Sequence, residues 1–276
     1  LTSSGAKLVI TDKQSAKAVR DATAGDVAVV EVGTDDWRRL TVGSTPPPDF
    51  ETDPESLAVL IYTAGTSGQP KGAMLTHRAL LANLDQMLRV TDPAPMLPDD
   101  VVLVVLPMFH IYALNAALGL VARCGATAVI SDRFDAEGSL KLIADHGVTH
   151  VAGAPPMYIG WSTVPDFAQR MASVRMLISG ASPLLPAVFQ QFASAGLTIW
   201  EGYGMTEASP VITSTIVTGV TKPGSVGQPL PGVETKLVDE SGNEVEEGDP
   251  GEIIVRGPNL FSGYWPDGSD GPDADG

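Results

Sequence analysis

Cysteine is almost absent from these 276 residues, Cys124 being the single one. An intramolecular disulfide and a zinc site built from thiolates are thereby excluded, and a reducing, cytoplasmic compartment is expected. Cationic runs are missing too. Lys and Arg number 17 against 33 Asp and Glu, the formal charge is -16, and no basic face is offered to a nucleic-acid backbone. No nucleic-acid partner is expected, so any phosphate ligand must be held by local donors. The chain opens on Leu1 with no charged leader followed by an apolar block, and no targeting segment is expected. Residues 101–122 lack Asp, Glu, Lys and Arg and are long enough to resemble a membrane span. Pro107, His110, Asn115 and Gly119 interrupt them. A buried strand, a loop and a helix fit better, and no transmembrane segment is expected. Cys124 itself reads as a small buried hydrophobe.

What is present describes a globular chain. Hydrophobic residues make up 43%, enough for a sizeable core, and 29 glycines with 22 prolines imply many tight loops. Strand-like and helix-like segments alternate. Residues 7–10 and 27–32 read as strands around a helix at 13–22. A strand at 57–62 runs into a polar loop, after which Thr76 is an N-cap for a helix from His77 to about Leu88. Strands at 101–106, 127–130, 148–152, 174–178 and 197–200 alternate with helices at 136–145 and 185–193. This pattern predicts an α/β fold with a mainly parallel sheet and helices on both faces. Short strands at 234–238 and 252–256, around a Ser241-Gly242-Asn243 turn, predict a small C-terminal β unit. Three parts are therefore expected: a partial first α/β subdomain at 1–98, a second at 99–220, and a β-rich segment at 221–276. From Glu234 onward there are 12 acidic and 2 basic residues, read as a solvated acidic rim and tail.

The densest local signal is Tyr62-Thr63-Ala-Gly65-Thr66-Ser67-Gly68-Gln69-Pro70-Lys71-Gly72. Glycines let backbone amides approach an oxyanion, Thr63, Thr66 and Ser67 add hydroxyls, and Lys71 adds a point charge. This composition is that of a phosphate cradle. A Walker A loop is excluded, because Pro70 stands where glycine is required and Gly72 stands where Ser or Thr should follow the lysine.

Residues 63–72 closely resemble the nucleotide-binding signature of the adenylate-forming superfamily, which includes acyl-CoA synthetases, 4-coumarate-CoA ligases, luciferases and the adenylation domains of peptide synthetases. Further segments match in the same order. Leu106-Pro-Met-Phe-His110-Ile-Tyr-Ala-Leu-Asn115 resembles the acid-pocket motif, and Ser179-Gly180-Ala181-Ser182-Pro183 the loop beside the adenine. Glu201-Gly-Tyr203-Gly204-Met-Thr206-Glu207 resembles the central motif, and residues 251–265 the glycine-rich one that follows. The resemblance implies that Gly65 and Gly68 with Thr63, Thr66, Ser67 and Lys71 bind the phosphates of ATP. It implies that Gly180, Ala181, Ser182, Tyr203 and Gly204 bind the adenine. Thr206 would touch the α-phosphate, and Glu207 would hold Mg2+ as a single carboxylate supplemented by phosphate oxygens.

His110, at the end of an apolar strand, would border the acyl pocket and the path of the thiol, orienting or gating rather than acting as an obligatory base. His146 and His150 invite a metal reading at a spacing of four, but Gly147, Val148 and Thr149 oppose a helix there and remove its meaning. The function implied by the resemblance is ATP-dependent activation of a carboxylic acid, fatty or aryl, to an acyl-adenylate, followed by thioester formation with coenzyme A. Residues 110–115 are closest to fatty-acyl and 4-coumarate ligases, which favours aliphatic or aryl acids over amino acids. Ala113 stands where many members have Gly. The ribose-binding Thr-Gly-Asp segment, the hinge, and the mobile lysine-bearing domain of the family are not in this sequence, so an incomplete large domain is expected. The alternatives are a non-catalytic nucleotide-binding fragment or degenerate paralogue, and an acyl-AMP ligase serving a carrier protein.

Overall fold

The computed structural model describes residues 3–42, 51–64 and 70–273. The chain divides into two compact units, Leu1–Asp53 and Pro54–Gly276. In the first, β1 (Leu8–Thr11) and β2 (Ala28–Glu31) pair in parallel around α1 (Ala16–Thr23), and α2 (Asp35–Thr41) follows. The sequence reading missed α2 although its start is well signalled. Thr34 accepts the Trp37 amide, while Asp35 and Asp36 occupy the first turn and Arg38 and Arg39 the last, as the helix dipole favours.

The second unit opens with an antiparallel hairpin of β3 (Leu57–Thr63) and β4 (Lys71–Thr76), continuing into α3 (His77–Leu88). Thr76 caps α3 by accepting the Ala79 amide at 3.1 Å, at the expected position. Next come β5 (Val101–Val104), a π-helical segment Tyr112–Gly119, α4 (Leu120–Cys124) and β6 (Thr127–Ile130). The pattern proceeds through α5 (Ala136–His146), β7 (His150–Gly153), α6 (Pro155–Ser162), α7 (Phe167–Arg170), β8 (Met176–Ser179), α8 (Pro186–Ser194) and β9 (Ile199–Gly204). A 3-10 turn Thr206–Ala208, β10 (Val211–Ser214), a second 3-10 turn Thr215–Thr218 and β11 (Gln228–Pro229) complete the main sheet, and β12 (Glu234–Val238) pairs with β13 (Glu252–Arg256) as a separate hairpin.

The main sheet has the order β11-β10-β9-β8-β7-β5-β6, with β6, β5, β7, β8 and β9 all parallel and β10 and β11 antiparallel additions. The fold is thus α/β with a mainly parallel sheet. Because side chains alternate along a strand, each strand feeds two cores. Leu103, Val151, Leu177 and Ile199 face a cluster with Tyr158, Trp161 and Phe192, whereas Val102, Val104, Met176 and Trp200 face one with Leu84, Met87 and Leu120. Tyr158 packs edge-on against Trp161 at 5.4 Å and Phe192 at 5.5 Å. Such pairs are worth about 1 kcal/mol each beyond the area they bury. Cys124 corrects one expectation: it is half-buried at the end of α4 rather than enclosed, since it only edges the second core.

Hydrogen bonds cross both bounds expected at 98 and 220. Residues of α3 bind those of the later chain, Asn83 to Val211 and Gln86 to Asn259, and β11 pairs with β10 across position 220. The hairpin and α3 therefore belong with the main sheet. Among the described residues no helix is long and apolar enough to cross a membrane.

Candidate functional site

From β5 the chain moves to β6 on one side, then builds β7, β8 and β9 on the other, so its connections part between β5 and β7. In open parallel sheets ligands lie in the crevice outside the carboxyl ends of the strands at such a point. A cavity of about 500 Å³ opens here. Its mouth is formed by Pro107 and His110 beyond β5, Ala154 beyond β7, Gly180 and Ala181 beyond β8, Tyr203 and Gly204 at the end of β9, and Thr206 beyond it. Its floor is apolar, with Met87, Val90, Ala116, Leu120, Ile216 and Leu230. No Asp, Glu, Lys or Arg lines it among the described residues.

The loops at the mouth are held in costly conformations. Ala181 has φ 72° and Ser209 φ 67°, both in the left-handed region that disfavours side chains. A Cβ on Gly204 would lie 2.1 Å from the Pro210 carbonyl oxygen, so only glycine permits the turn that returns the Met205 amide to that oxygen at 3.0 Å. Buried amides fix the turn from beneath. Asn115, on the π-helical segment, donates to Ser209 O at 2.7 Å and Leu80 O at 3.1 Å, and Asn259 donates to Ala208 O at 2.8 Å. Asn83 donates to Val211 O at 2.8 Å and accepts its amide at 3.1 Å. A buried carbonyl left without its donor costs more than the bond gains, so these amides specify a single path for residues 206–211. Tyr112 supports the end of β8: its hydroxyl donates to Ile178 O at 3.2 Å, and burial pushes its pKa up.

Glu207 stands on this turn. Its Oε1 accepts the Tyr264 hydroxyl at 2.6 Å, and the Lys71 ammonium lies 4.8 Å from the centre of the Tyr264 ring while also pairing with Asp270 at 2.8 Å. The pKa of Tyr264 is pushed up to about 12, first by burial, then by its bond to Glu207 and the negative charges of Glu207 and Asp270. Residues 261–265 carry Tyr264 along β4: Ser262 N donates to Met74 O at 2.9 Å, Met74 N to Gly263 O at 3.1 Å, and Trp265 N to Gly72 O at 2.8 Å. Phe261 N donates to Glu207 O at 2.9 Å, tying the same segment to the turn. Among the described residues Oε2 of Glu207 has no hydrogen-bond partner, and no cluster of three metal-ligating side chains occurs. One carboxylate with the neighbouring Thr206 hydroxyl suits a hard cation that arrives with phosphate oxygens, not one caged by protein.

The expected residues fall into two groups. His110, Gly180, Ala181, Tyr203, Gly204 and Thr206 surround the cavity. Glu207 and Lys71 meet at Tyr264, and Thr63 lies opposite Lys71 in the hairpin, with its hydroxyl 3.5 Å from Lys71 O. His110 is exposed, its ring 4.8 Å from that of Phe109. Ser182 is exposed and does not line the cavity. Gly65, Thr66, Ser67 and Gly68 lie outside the described residues. His146 ends α5 and His150 begins β7, so the two do not share a helix face. Tyr264 was missed within the 251–265 motif, where only the glycines drew notice, and the buried amides carry no local signal.

The family model of AMP-binding enzymes matches residues 1–265. The chain belongs to this family. Among curated members of the AMP-binding family, it is 33% identical to 4-coumarate--CoA ligase 3 of Oryza sativa subsp. japonica, over 95% of this chain and 50% of that protein. It is 38% identical to the long-chain-fatty-acid--CoA ligase of Bacillus subtilis (strain 168), over 77% of this chain and 39% of that protein. The crystal structure of ATP-bound MatB from Rhodopseudomonas palustris superposes with a TM-score of 0.87 at 30% identity, covering 96% of this chain and 53% of that one. A malonyl-CoA ligase in ternary product complex with methylmalonyl-CoA and AMP gives 0.82 at 32% identity, covering 100% and 56%. The chain spans about half the length of the relatives it matches.

Proposed function

We propose that this chain serves the ATP-dependent activation of an apolar monocarboxylic acid, in which a carboxylate oxygen attacks the α-phosphorus of ATP and pyrophosphate leaves. A thiol, from coenzyme A by similarity to the ligases above, would then attack the acyl carbonyl, forming the thioester and releasing AMP. The observation that carries this reading is that Thr206 shares one cavity with Tyr203, Gly180 and His110, while Glu207 beside it bonds Tyr264, over whose ring Lys71 lies. The Tyr203 ring offers an aromatic face to the adenine, beside backbone groups of residues 180–181. Thr206 and Lys71 place a hydroxyl and a cation for the phosphates. Glu207 would hold Mg2+, which supplies charge neutralisation to the bound triphosphate. A reducing, cytoplasmic setting is part of the proposal and rests on the single cysteine.

The cavity also bears on the acid. With no charged side chain on its described lining, a second carboxylate or an ammonium group would be buried without a counter-ion, at a cost of several kcal/mol. Aliphatic and aryl monocarboxylates are favoured over dicarboxylates such as malonate and over amino acids. Calorimetric binding of hydrolysis-resistant acyl-adenylate analogues tests this. Octanoyl and cinnamoyl analogues are expected to bind at least tenfold tighter than the malonyl and alanyl ones, and equal affinities would overturn the assignment. Glu207→Gln, which removes charge and nearly keeps shape, is expected to weaken ATP binding about tenfold with Mg2+ and less than twofold without it.

A further inference from the structure

Resting on the reading of Glu207 as the carboxylate that meets Mg2+ with ATP, we propose that Tyr264 is its positioning residue, pinning one carboxylate oxygen and keeping the other, Oε2, directed to the cation. A glutamate on a short surface turn has several rotamers, and freezing them as a ligand arrives costs conformational entropy. Here that freedom is removed beforehand. The Tyr264 hydroxyl donates to Oε1 at 2.6 Å, and among the described residues this is the hydrogen bond its carboxylate makes. A phenol has one proton to give, so Oε2 keeps its lone pairs.

Tyr264 is itself held on several sides. Its backbone pairs with Ala73 and exchanges hydrogen bonds with Gly268 and Ser269, at 2.8 and 2.9 Å, and its ring packs edge-on against Phe261 at 5.0 Å. The remaining contact concerns the opposite charge. The Lys71 ammonium sits over the Tyr264 ring at 4.8 Å, a cation-π distance. One side chain thus touches both a cation and an anion that the triphosphate site would use, with its hydroxyl on one and its aromatic face near the other. It holds Glu207 without neutralising it, as a direct ion pair with a lysine would.

The test compares ATP affinity in Mg2+ with that in EDTA, measured by calorimetry on the whole chain, together with the thermal unfolding midpoint. Tyr264→Phe keeps the ring and removes the hydroxyl. It is expected to reduce the Mg2+-linked gain in affinity by about fivefold to tenfold, with EDTA affinity within twofold and the midpoint unchanged. In the Glu207→Gln background it should have no further effect, since the bond it removes has lost its charged acceptor. Equal losses with and without Mg2+, or full additivity in the double variant, would overturn the proposal. An intact Mg2+-linked gain in Glu207→Gln would refute the site reading itself, whereas a normal Glu207→Gln effect with an unaltered Tyr264→Phe refutes Tyr264 alone. A second pair guards against misfolding: Tyr264→Gln retains a donor and Tyr264→Leu, of similar size, does not. The Gln variant is expected to keep more of the Mg2+-linked gain, and equal gains in the two would count against the proposal.

Discussion

The two ends of the parallel sheet are built on opposite principles. At the carboxyl ends of β7, β8 and β9 the backbone bends through left-handed Ala181 and Ser209, Tyr203 and Met205 stand exposed, and a cavity remains. At the amino ends there is closure. Asp100, whose side chain is 3% exposed, accepts Arg175 on both oxygens, the Thr149 hydroxyl at 2.6 Å and the Leu97 amide at 2.7 Å. The approaches to β5, β7 and β8 are thereby tied in one knot. Burial pushes the Asp100 carboxyl up, but the bonds from Arg175, Thr149 and Leu97 outweigh it and hold its pKa below the usual value. The lesson is a division of labour: one end is knotted shut around Asp100, and the other can then carry strain and an open crevice.

Breaking the closed end should separate stability from binding most sharply. Asp100→Ala leaves Arg175 facing buried surface without its carboxylate, and the expected loss is about 3 kcal/mol in urea unfolding, the low end for such pairs because Arg175 reaches water. ATP affinity of the folded protein should stay within twofold. A variant equally stable, or one stable but unable to bind ATP, would contradict the division.

Acid should probe the same end. His150 begins β7 between Val102 and Met176, wholly buried, with neither ring nitrogen hydrogen-bonded among the described residues. Its pKa is lowered from 6.5 to about 4, chiefly by burial, with Asp100 opposing and Arg175 assisting. The folded value lies below the unfolded one, so stability is fully present above pH 6.5 and is lost as pH falls towards 4. That span corresponds to about 3 kcal/mol. His150→Leu should flatten the dependence of the unfolding midpoint on pH across this window, and parallel profiles for the two proteins would refute it.

The open end should answer in the opposite manner and with the smallest effect. Tyr203→Ala is expected to weaken ATP binding by about 1 kcal/mol, near fivefold, while stability moves by less than about 0.5 kcal/mol. A large fall in the unfolding midpoint would make Tyr203 a packing residue instead.

The strands were far more legible in the sequence than the side-chain contacts at either end of the sheet. Residues 127–130, 234–238 and 252–256 were expected as strands and are β6, β12 and β13, because β-branched runs bounded by turn residues leave few alternatives. Elements starting on misleading residues were lost. Lys71-Gly72 was read as the tail of a loop, yet it opens β4, where Gly72 pairs with Tyr62. Pro155-Pro156 resembles a break and instead begins α6, since the first helical turn needs no amide donors. At the site, the motif order pointed to Tyr203, Thr206 and Glu207 as a set. It was silent on Tyr264 meeting Glu207 and on Asn115 reaching Ser209, because those bonds depend on tertiary approach and not on local spacing.

The segment that runs along β4 has a consequence for how the chain comes to be folded. Lys71 and its partner Asp270 are 199 positions apart, and Tyr264 pairs with Ala73 nearby. A ribosome adding 5–20 residues each second would separate the emergence of the two by roughly 10 to 40 s. The hairpin of β3 and β4 must wait through that interval with its outer edge bare, and an uncovered strand edge is a template for the wrong neighbour. Long-range pairing of this kind is also slow to nucleate. The charged corner around Glu207 is therefore expected to be the last part of the molecule to assemble, and the part most in need of protection during synthesis.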